Sequence, residues 1–246
     1  MLSLIKIEIN KVSKVKLFLA WLITIFIVSA ITGIIIMGLG TDNKLGEFVG
    51  QSINDFRGTS KWEGWAVAAS LFSSLFTKAA FLIFESYLLS SIIIDEFKRR
   101  TILQLFAYPI SKMKLLWGKM LSVILLSFIT HFTAHIVIQL FIKLMAFLTG
   151  ANYIPLTNHL INLVGITFGT VLVGLIPFVL GMIKYSTPIT MLSGLGLAAL
   201  LSNVTPGSLT NNFVDNVFFL VFASFISLMI VSFSIYMISK KDINIE

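Results

Sequence analysis

Long runs of apolar residues alternate with short charged segments along this 246-residue chain. About 20 apolar residues cross a hydrocarbon core of roughly 30 Å, and a helix satisfies its own backbone hydrogen bonds there. The pattern therefore predicts an all-α integral membrane protein with six transmembrane helices. The predicted spans are residues 17–39, 66–94, 120–142, 160–183, 189–204 and 217–239.

Two shorter elements are predicted beside these spans. Residues 1–16 place apolar side chains at near-helical spacing among lysines, which predicts an interfacial helix that leads into the first span. The fifth apolar run has only 16 residues, so Thr205-Pro206-Gly207-Ser208 is predicted to cap a re-entrant element before the last span. All of these elements are expected to form one domain over residues 1–246.

Composition excludes a soluble globular domain, because 57% of the residues are hydrophobic and only 12% are charged. The chain has no cysteine, which excludes disulfides, thiolate catalysis and cysteine-ligated metals. Its net charge of +7 does not indicate a nucleic-acid partner, because the basic residues cluster beside the spans. Membrane lipid is the partner that this composition predicts.

The positions of Lys and Arg predict the topology. Four basic residues precede the first span and six lie between Lys98 and Lys119. Lys184, Lys240 and Lys241 fall on the same side if there are six spans. Basic residues are enriched on the cytoplasmic side of membrane proteins, so both termini are expected in the cytoplasm.

In the segment between the second and third spans, residues 95–119, acidic, basic and apolar residues follow in an order that a simple basic loop would not require. It begins with an acidic pair and a basic triplet, continues with apolar residues at helical spacing, and ends in Gly118-Lys119. This order predicts a short amphipathic helix over residues 96–106, which lies on lipid or in the groove of a partner protein. The residues of this pattern are Glu96, Thr101, Ile102, Leu103, Leu105, Phe106 and the helix-stopping Pro109.

This segment resembles the first cytoplasmic loop of the permease subunits of type 2 ATP-binding-cassette exporters, where an acidic residue, a threonine, spaced leucines, Pro-Ile-Ser and a late Gly-Lys recur. Arg100 stands where that family usually has glycine. The resemblance implies that residues 95–119 are a coupling loop that docks on a separate ATPase subunit. The residues implied in coupling are Glu96, Thr101, Leu103, Leu105, Phe106 and Pro109.

The same resemblance implies a non-catalytic permease of the bacterial plasma membrane, which works with a second copy or a homologue. The chain has no Gly-x-x-x-x-Gly-Lys-Ser/Thr phosphate loop, so ATP and Mg²⁺ are expected on the partner ATPase and no cofactor on this chain. Small permeases of this kind resemble exporters of amphipathic peptides, such as the phenol-soluble-modulin exporters and the bacteriocin-immunity transporters.

Four polar residues within the spans are candidates for a translocation path: Lys78, Glu85, His131 and His135. A charge at mid-bilayer costs at least about 2.5 kcal/mol, so Glu85 is predicted to face protein or water, whereas Lys78 can extend outward. Glu85 fits a structural role and a transport role equally. The two histidines share one helix face, where hydrogen bonding between helices is favoured over a metal site that lacks a third ligand.

Two other functions remain open. A secondary transporter or channel would have the same spans but no ATPase. An intramembrane glutamyl protease is suggested by residues 95–100, which approximate its Glu-Glu-x-x-x-Arg signature, but no histidine follows a phenylalanine by four residues as that family requires. Glycines at 165, 169, 194 and 196 are predicted to allow close helix packing within one chain or between two.

Overall fold

A computed structural model describes residues 2–40, 61–102, 110–149, 160–201 and 217–240. Every regular element in these ranges is helical. A π-helical segment, Ser90–Ile94, joins α3 to α4 without a break in the chain direction. The α-helices are α1 (Leu2–Lys11), α2 (Lys14–Gly40), α3 (Lys61–Leu89), α4 (Asp95–Lys98), α5 (Lys112–Thr149), α6 (Leu160–Val173), α7 (Ile176–Lys184), α8 (Thr187–Leu201) and α9 (Val217–Lys240).

Five helical stretches of the described chain are long and apolar enough to cross a membrane. They correspond to the first, second, third, fourth and sixth predicted spans, and the helical membrane architecture is confirmed. The fifth run forms the shorter α8, so a sixth crossing stays a prediction, and residues 205–208 lie outside the described residues. The five stretches are Lys14–Ile34, Phe72–Lys98, Lys112–Leu148, Leu163–Lys184 and Phe219–Lys240.

The second span is the centre of the bundle. Within its apolar window 72% of the residues are buried, against 11% in the first span and 28% in the last. It is also the least apolar of the five, with a mean hydropathy of 1.5. Polar side chains avoid lipid, so the span that carries most of them takes the interior position. It packs against α2, α5 and α8.

The fourth span is interrupted at Gly174 and Leu175, between α6 and α7. Pro177 lies in the first turn of α7 and has no N–H group, so the carbonyl of Val173 has no donor four residues on. Two serines of α9 donate to carbonyls of α6 just before the interruption: Ser224 to Gly169 at 3.1 Å and Ser227 to Leu172 at 2.6 Å. The span is therefore a broken helix held to α9 by hydrogen bonds.

A separate helix, α1, occurs where the interfacial helix is predicted, and it packs on the first turns of α5. The close approach occurs at Gly118, where a Cβ atom would lie 3.4 Å from the Cβ of Leu4. Whether α1 lies in the membrane interface stays a prediction.

The prediction of a single amphipathic helix over residues 96–106 is wrong, because α4 ends at Lys98 and the chain turns at residues 99–101. Helical structure resumes at Ile102, whose side chain is buried in the core. The rest of that segment, residues 103–109, lies outside the described residues.

Candidate functional site

Four charged side chains from three helices meet at one end of the bundle. Lys119 of α5 places its Nζ 2.7 Å from Glu8 Oε2 of α1 and 2.8 Å from Glu96 Oε2 of α4. Lys11 places its Nζ 3.1 Å from Glu8 Oε1 and 3.5 Å from Glu96 Oε1. We call Glu8, Lys11, Glu96 and Lys119 the ion cluster.

The ion cluster is buried at its centre and open at its edge. The side chain of Lys119 is fully buried and that of Glu8 is 8% exposed, whereas that of Lys11 is 43% exposed. Lys119 donates a hydrogen bond to Glu8, and its contact with Glu96 is ionic without hydrogen-bond geometry. Two lysines balance two carboxylates, so the cluster satisfies the requirement that buried charges be paired.

The pKa of Lys11 reflects this balance. Partial burial is the largest influence and lowers the pKa of the Lys11 ammonium. The hydrogen bond from Lys11 to Glu8 and the negative charges of Glu8 and Glu96 together outweigh burial, so the pKa of Lys11 lies above its ordinary value. Lys11 therefore stays charged at neutral pH and continues to neutralise both carboxylates.

Thr101 and Arg100 form the turn that ends α4. Arg100 has a φ of 59°, in the left-handed region, and its N–H donates to the carbonyl of Phe97 at 3.1 Å. The hydroxyl of Thr101 donates to the carbonyl of Glu96 at 3.2 Å. These bonds satisfy carbonyls at a helix end, which commonly has glycine in the left-handed position. The preference of the resembling family for glycine at this position has a direct physical reason here.

Arg100→Gly is expected to stabilise the protein by up to about 1 kcal/mol, because a left-handed backbone costs a residue with a side chain roughly 1–2 kcal/mol. Part of that gain is offset by the lost side-chain contacts of Arg100. The midpoint of thermal unfolding of the purified protein measures the effect. Arg100→Val is the control, because a β-branched side chain is strained at this φ and should lower the midpoint. A Gly variant less stable than the Val variant would contradict the assignment of this turn.

A ring contact holds α4 on its other side. Phe97 stacks on Tyr185, with ring centroids 5.5 Å apart and an angle of 1° between the planes. Tyr185 ends α7 with a φ of 46°, and the N–H of Ser186 donates to the carbonyl of Gly181. The end of the second span is thus fixed by α1 and α5 through charge and by the end of α7 through aromatic contact.

The structure brings together Glu96 and Thr101 of the predicted coupling residues. Leu103, Leu105, Phe106 and Pro109 lie outside the described residues, so docking on an ATPase stays a prediction. Sequence reasoning missed the partners of Glu96, although two signals were available. Lys119 follows Gly118 in the motif, and Glu8 is the one acidic residue among the first sixteen.

Glu85 lies at the break in the fourth span. Glu85 is 2% exposed, so it faces protein, as one of the two predicted environments requires. Its Oε1 has no hydrogen-bond partner among the described residues. The carboxylate fills the space that a Cβ atom on Gly174 would occupy. The prediction that Lys78 extends outward is wrong, because α2, α5 and α8 surround α3 and leave Lys78 only 5% exposed.

His131 and His135 stack on each other, with ring centroids 4.8 Å apart, and His131 also stacks on Phe81 at 5.0 Å. Lys78 lies within electrostatic range of both imidazoles. Among the described residues, the favoured hydrogen bond between helices is not observed at Nε2 of either histidine. Among the residues with described positions, no three His, Asp or Glu side chains are grouped to hold a metal.

Comparisons with known proteins agree with the membrane architecture. A family model described as ABC-2 family transporter protein matches residues 4–198, which include the whole ion cluster. A protein of Bacillus subtilis (strain 168) described as uncharacterized protein YcbO is 33% identical over 147 residues, which are 56% of this chain and 63% of that protein. The chain thus matches less than two thirds of that relative's length. No solved structure matches.

Proposed function

Because this chain belongs to the ABC-2 family of transporter proteins, we propose that it is the permease subunit of an ATP-driven exporter in the bacterial plasma membrane. A separate ATPase subunit binds ATP and Mg²⁺ and carries out hydrolysis. The ion cluster lies on the cytoplasmic side, and six spans, with α8 as the fifth, leave both termini there. The distribution of basic residues between the two sides of the predicted spans supports this orientation.

The ion cluster is the observation that carries this proposal. It ties the end of the second span, through Glu96, to the start of the third span, through Lys119. The segment between them includes the proposed docking residues. Its two ends are therefore held close together by the ion cluster. When a docked ATPase moves that segment, α1, α4 and α5 move together. Such joint movement is what would couple ATP hydrolysis to the membrane spans.

Two permease chains form the proposed complex with two ATPase subunits. One chain offers one coupling segment, whereas ATPases of this class act as a pair. The substrate route then lies between two copies of this chain or between it and a homologue. Lys78, Glu85, His131 and His135 are each at most 5% exposed within one chain, so they contact such a route only after α3 and its neighbours separate.

The proposed substrates are amphipathic peptides with antimicrobial or cytolytic activity. This choice is supported by the likeness of small permeases of this kind to exporters of amphipathic peptides. It is also consistent with a route at the apolar outer faces of two chains, where one face of an amphipathic helix can remain in contact with apolar side chains. The test below includes such a peptide so that the substrate class is examined together with coupling.

Replacing Leu103 and Leu105 with aspartate is expected to reduce co-purification of the ATPase at least about tenfold, because charge in an apolar docking surface is strongly unfavourable. The measurement uses the permease expressed with the ATPase of a neighbouring reading frame, followed by ATPase activity with and without an amphipathic peptide. Replacing both leucines with methionine, which conserves volume and apolarity, is the matched control.

Three results would contradict parts of the proposal separately. If the aspartate variant co-purifies fully with the ATPase and retains peptide-stimulated hydrolysis, the proposed coupling role of this segment is excluded. If coupling is intact but no amphipathic peptide stimulates ATP hydrolysis, the proposed substrate class is excluded. A particle whose mass contains one copy of this chain and no second permease would exclude the paired arrangement.

A secondary transporter without an ATPase is the second candidate. It is favoured by the broken fourth span with the buried Glu85 beside it, because interrupted helices with a buried charge form ion and substrate sites in such transporters. Transport that continues after deletion of every candidate ATPase partner would support this alternative over the exporter.

A further inference from the structure

An open cavity of about 530 Å³ lies between α1, the first turns of α2, and the end of the second span. One wall belongs to the π-helical segment, which contributes Ser91 and Ile92 to the lining. Such segments occur frequently at functional sites. Besides the ion-cluster residues Glu8, Lys11 and Glu96, the lining includes Val12, Lys16, Leu17, Ile92, Asp95 and Arg99.

The charges around this cavity fall into two groups. Glu8, Lys11 and Glu96 are already neutralised within the ion cluster. Lys16, Arg99 and Asp95 also line the cavity, but none of them forms an ion pair with another residue that the structure describes. The cavity therefore offers two cationic groups and one anionic group that are available to a ligand.

The cavity lies at the ends of the first two spans, where lipid headgroups are expected. Lys16 lies in the first turn of the first span and Arg99 directly follows the end of the second. Phe18 and Leu19, just beyond Lys16 on α2, are exposed apolar side chains at 56% and 51%. Charged residues beside an exposed apolar helix face mark the boundary between headgroups and acyl chains.

We propose that this cavity binds the headgroup of a phospholipid that carries a primary amine, as phosphatidylethanolamine does. The phosphate pairs with Lys16 and Arg99, and the ammonium donates hydrogen bonds to Asp95. Val12, Leu17 and Ile92 contact the glycerol, and the acyl chains follow the exposed face of α2. A glycerol headgroup offers Asp95 hydroxyl donors but no cation, and a choline headgroup has no N–H to donate. The bound lipid would fill the space between α1 and the second span.

The test measures lipid retention by the full-length protein with native mass spectrometry, after reconstitution with equal amounts of phosphatidylethanolamine, phosphatidylcholine and phosphatidylglycerol. The expected result is a preference of about tenfold for phosphatidylethanolamine, the size of effect that one charge-assisted hydrogen bond gives. Asp95→Asn should reduce this preference over phosphatidylcholine to near one. Equal retention of the three lipids by the unsubstituted protein would overturn the proposal without any variant.

Charge-matched variants separate the cavity from general surface attraction. Lys16→Gln with Arg99→Gln should lose the retained lipid, whereas Lys14→Gln with Lys98→Gln, which remove the same charge from exposed neighbours outside the cavity, should keep it. Equal loss in both pairs would overturn the proposal. Displacement of the lipid by a cationic amphipathic peptide at equal concentration would assign the cavity to a peptide instead. Binding of glycerophosphoethanolamine as tight as the lipid would exclude the acyl contribution.

Discussion

Replacing Lys119 with methionine is expected to destabilise the protein by about 3–5 kcal/mol, because removal of one partner leaves buried charges without compensation. Glu8 would retain only the partly exposed Lys11, and Glu96 would lose its shorter contact. The thermal midpoint of the purified protein should fall by on the order of 10 °C. We expect ATPase coupling to be lost in the same variant, because α1 and the end of the second span would separate from α5.

Two further variants show whether charge is the cause. Lys114→Met removes the same charge and side chain from an exposed position on the same helix and should change stability by less than about 0.5 kcal/mol. The triple variant Glu8→Gln, Glu96→Gln, Lys119→Met removes the buried charges together and should recover most of the loss. If the triple variant is less stable than Lys119→Met alone, packing rather than charge compensation is the main role of Lys119.

Gly194→Ala is expected to force α3 and α8 apart at a cost of about 1–3 kcal/mol, as added atoms do in a packed core. A Cβ atom at position 194 would lie 2.5 Å from the Cβ of Ser86 and 3.5 Å from the carbonyl oxygen of Leu82. Neither of these atoms can move by a side-chain rotation, so the backbone must shift. Thermal unfolding of the purified protein measures the change.

Gly196 is the matched control on the same helix. A Cβ atom there has no described residue within 4 Å, and alanine is favoured over glycine in a helix by up to about 1 kcal/mol, so Gly196→Ala should be neutral or stabilising. Ser86→Gly removes the opposing Cβ and should rescue Gly194→Ala in a double-mutant cycle. Equal destabilisation by the two alanine variants, with no rescue, would exclude close packing at Gly194 as the cause.

The spans could be predicted because the cost of exposing backbone in lipid makes length and hydrophobicity sufficient evidence for a helix. The glycines illustrate what length cannot provide. Positions 165, 169, 194 and 196 look equivalent in sequence, yet Gly169 contacts Leu220 and Gly194 contacts Ser86, while Gly165 and Gly196 face none of the residues that the structure describes within 4 Å of a Cβ atom. Which glycine is needed depends on the neighbouring helix, and a single sequence does not reveal that neighbour.

The ion cluster was only half predictable for a similar reason. Glu96 and Thr101 stood out through a local pattern, but the bond from Lys119 to Glu8 joins residues 111 positions apart. The turn at Arg100 was missed although two signals indicated it: basic residues are common in the last turn of a helix, and the resembling family has glycine, which favours the left-handed region, at this position. The hydrogen bond of Thr101 became interpretable only once that turn was known.

The π-helical segment sets the angle between Glu85 and Glu96, two acidic residues of the second span that contact other helices. Each residue of an α-helix advances the helix face by about 100°, and a π turn contains about one residue more than an α turn. A deletion of one residue within Ser90–Ile94 could therefore restore a regular helix while Glu85 kept its place at Gly174. Because the π turn completes its rotation with that extra residue, Glu96 would stay on the helix face that meets Lys119. A one-residue deletion in the α-helical residues between Glu85 and Ser90 would instead rotate Glu96 away from Lys119 by about 100°. The π turn is therefore a part of this helix that can lose a residue without changing the angle between the two carboxylates.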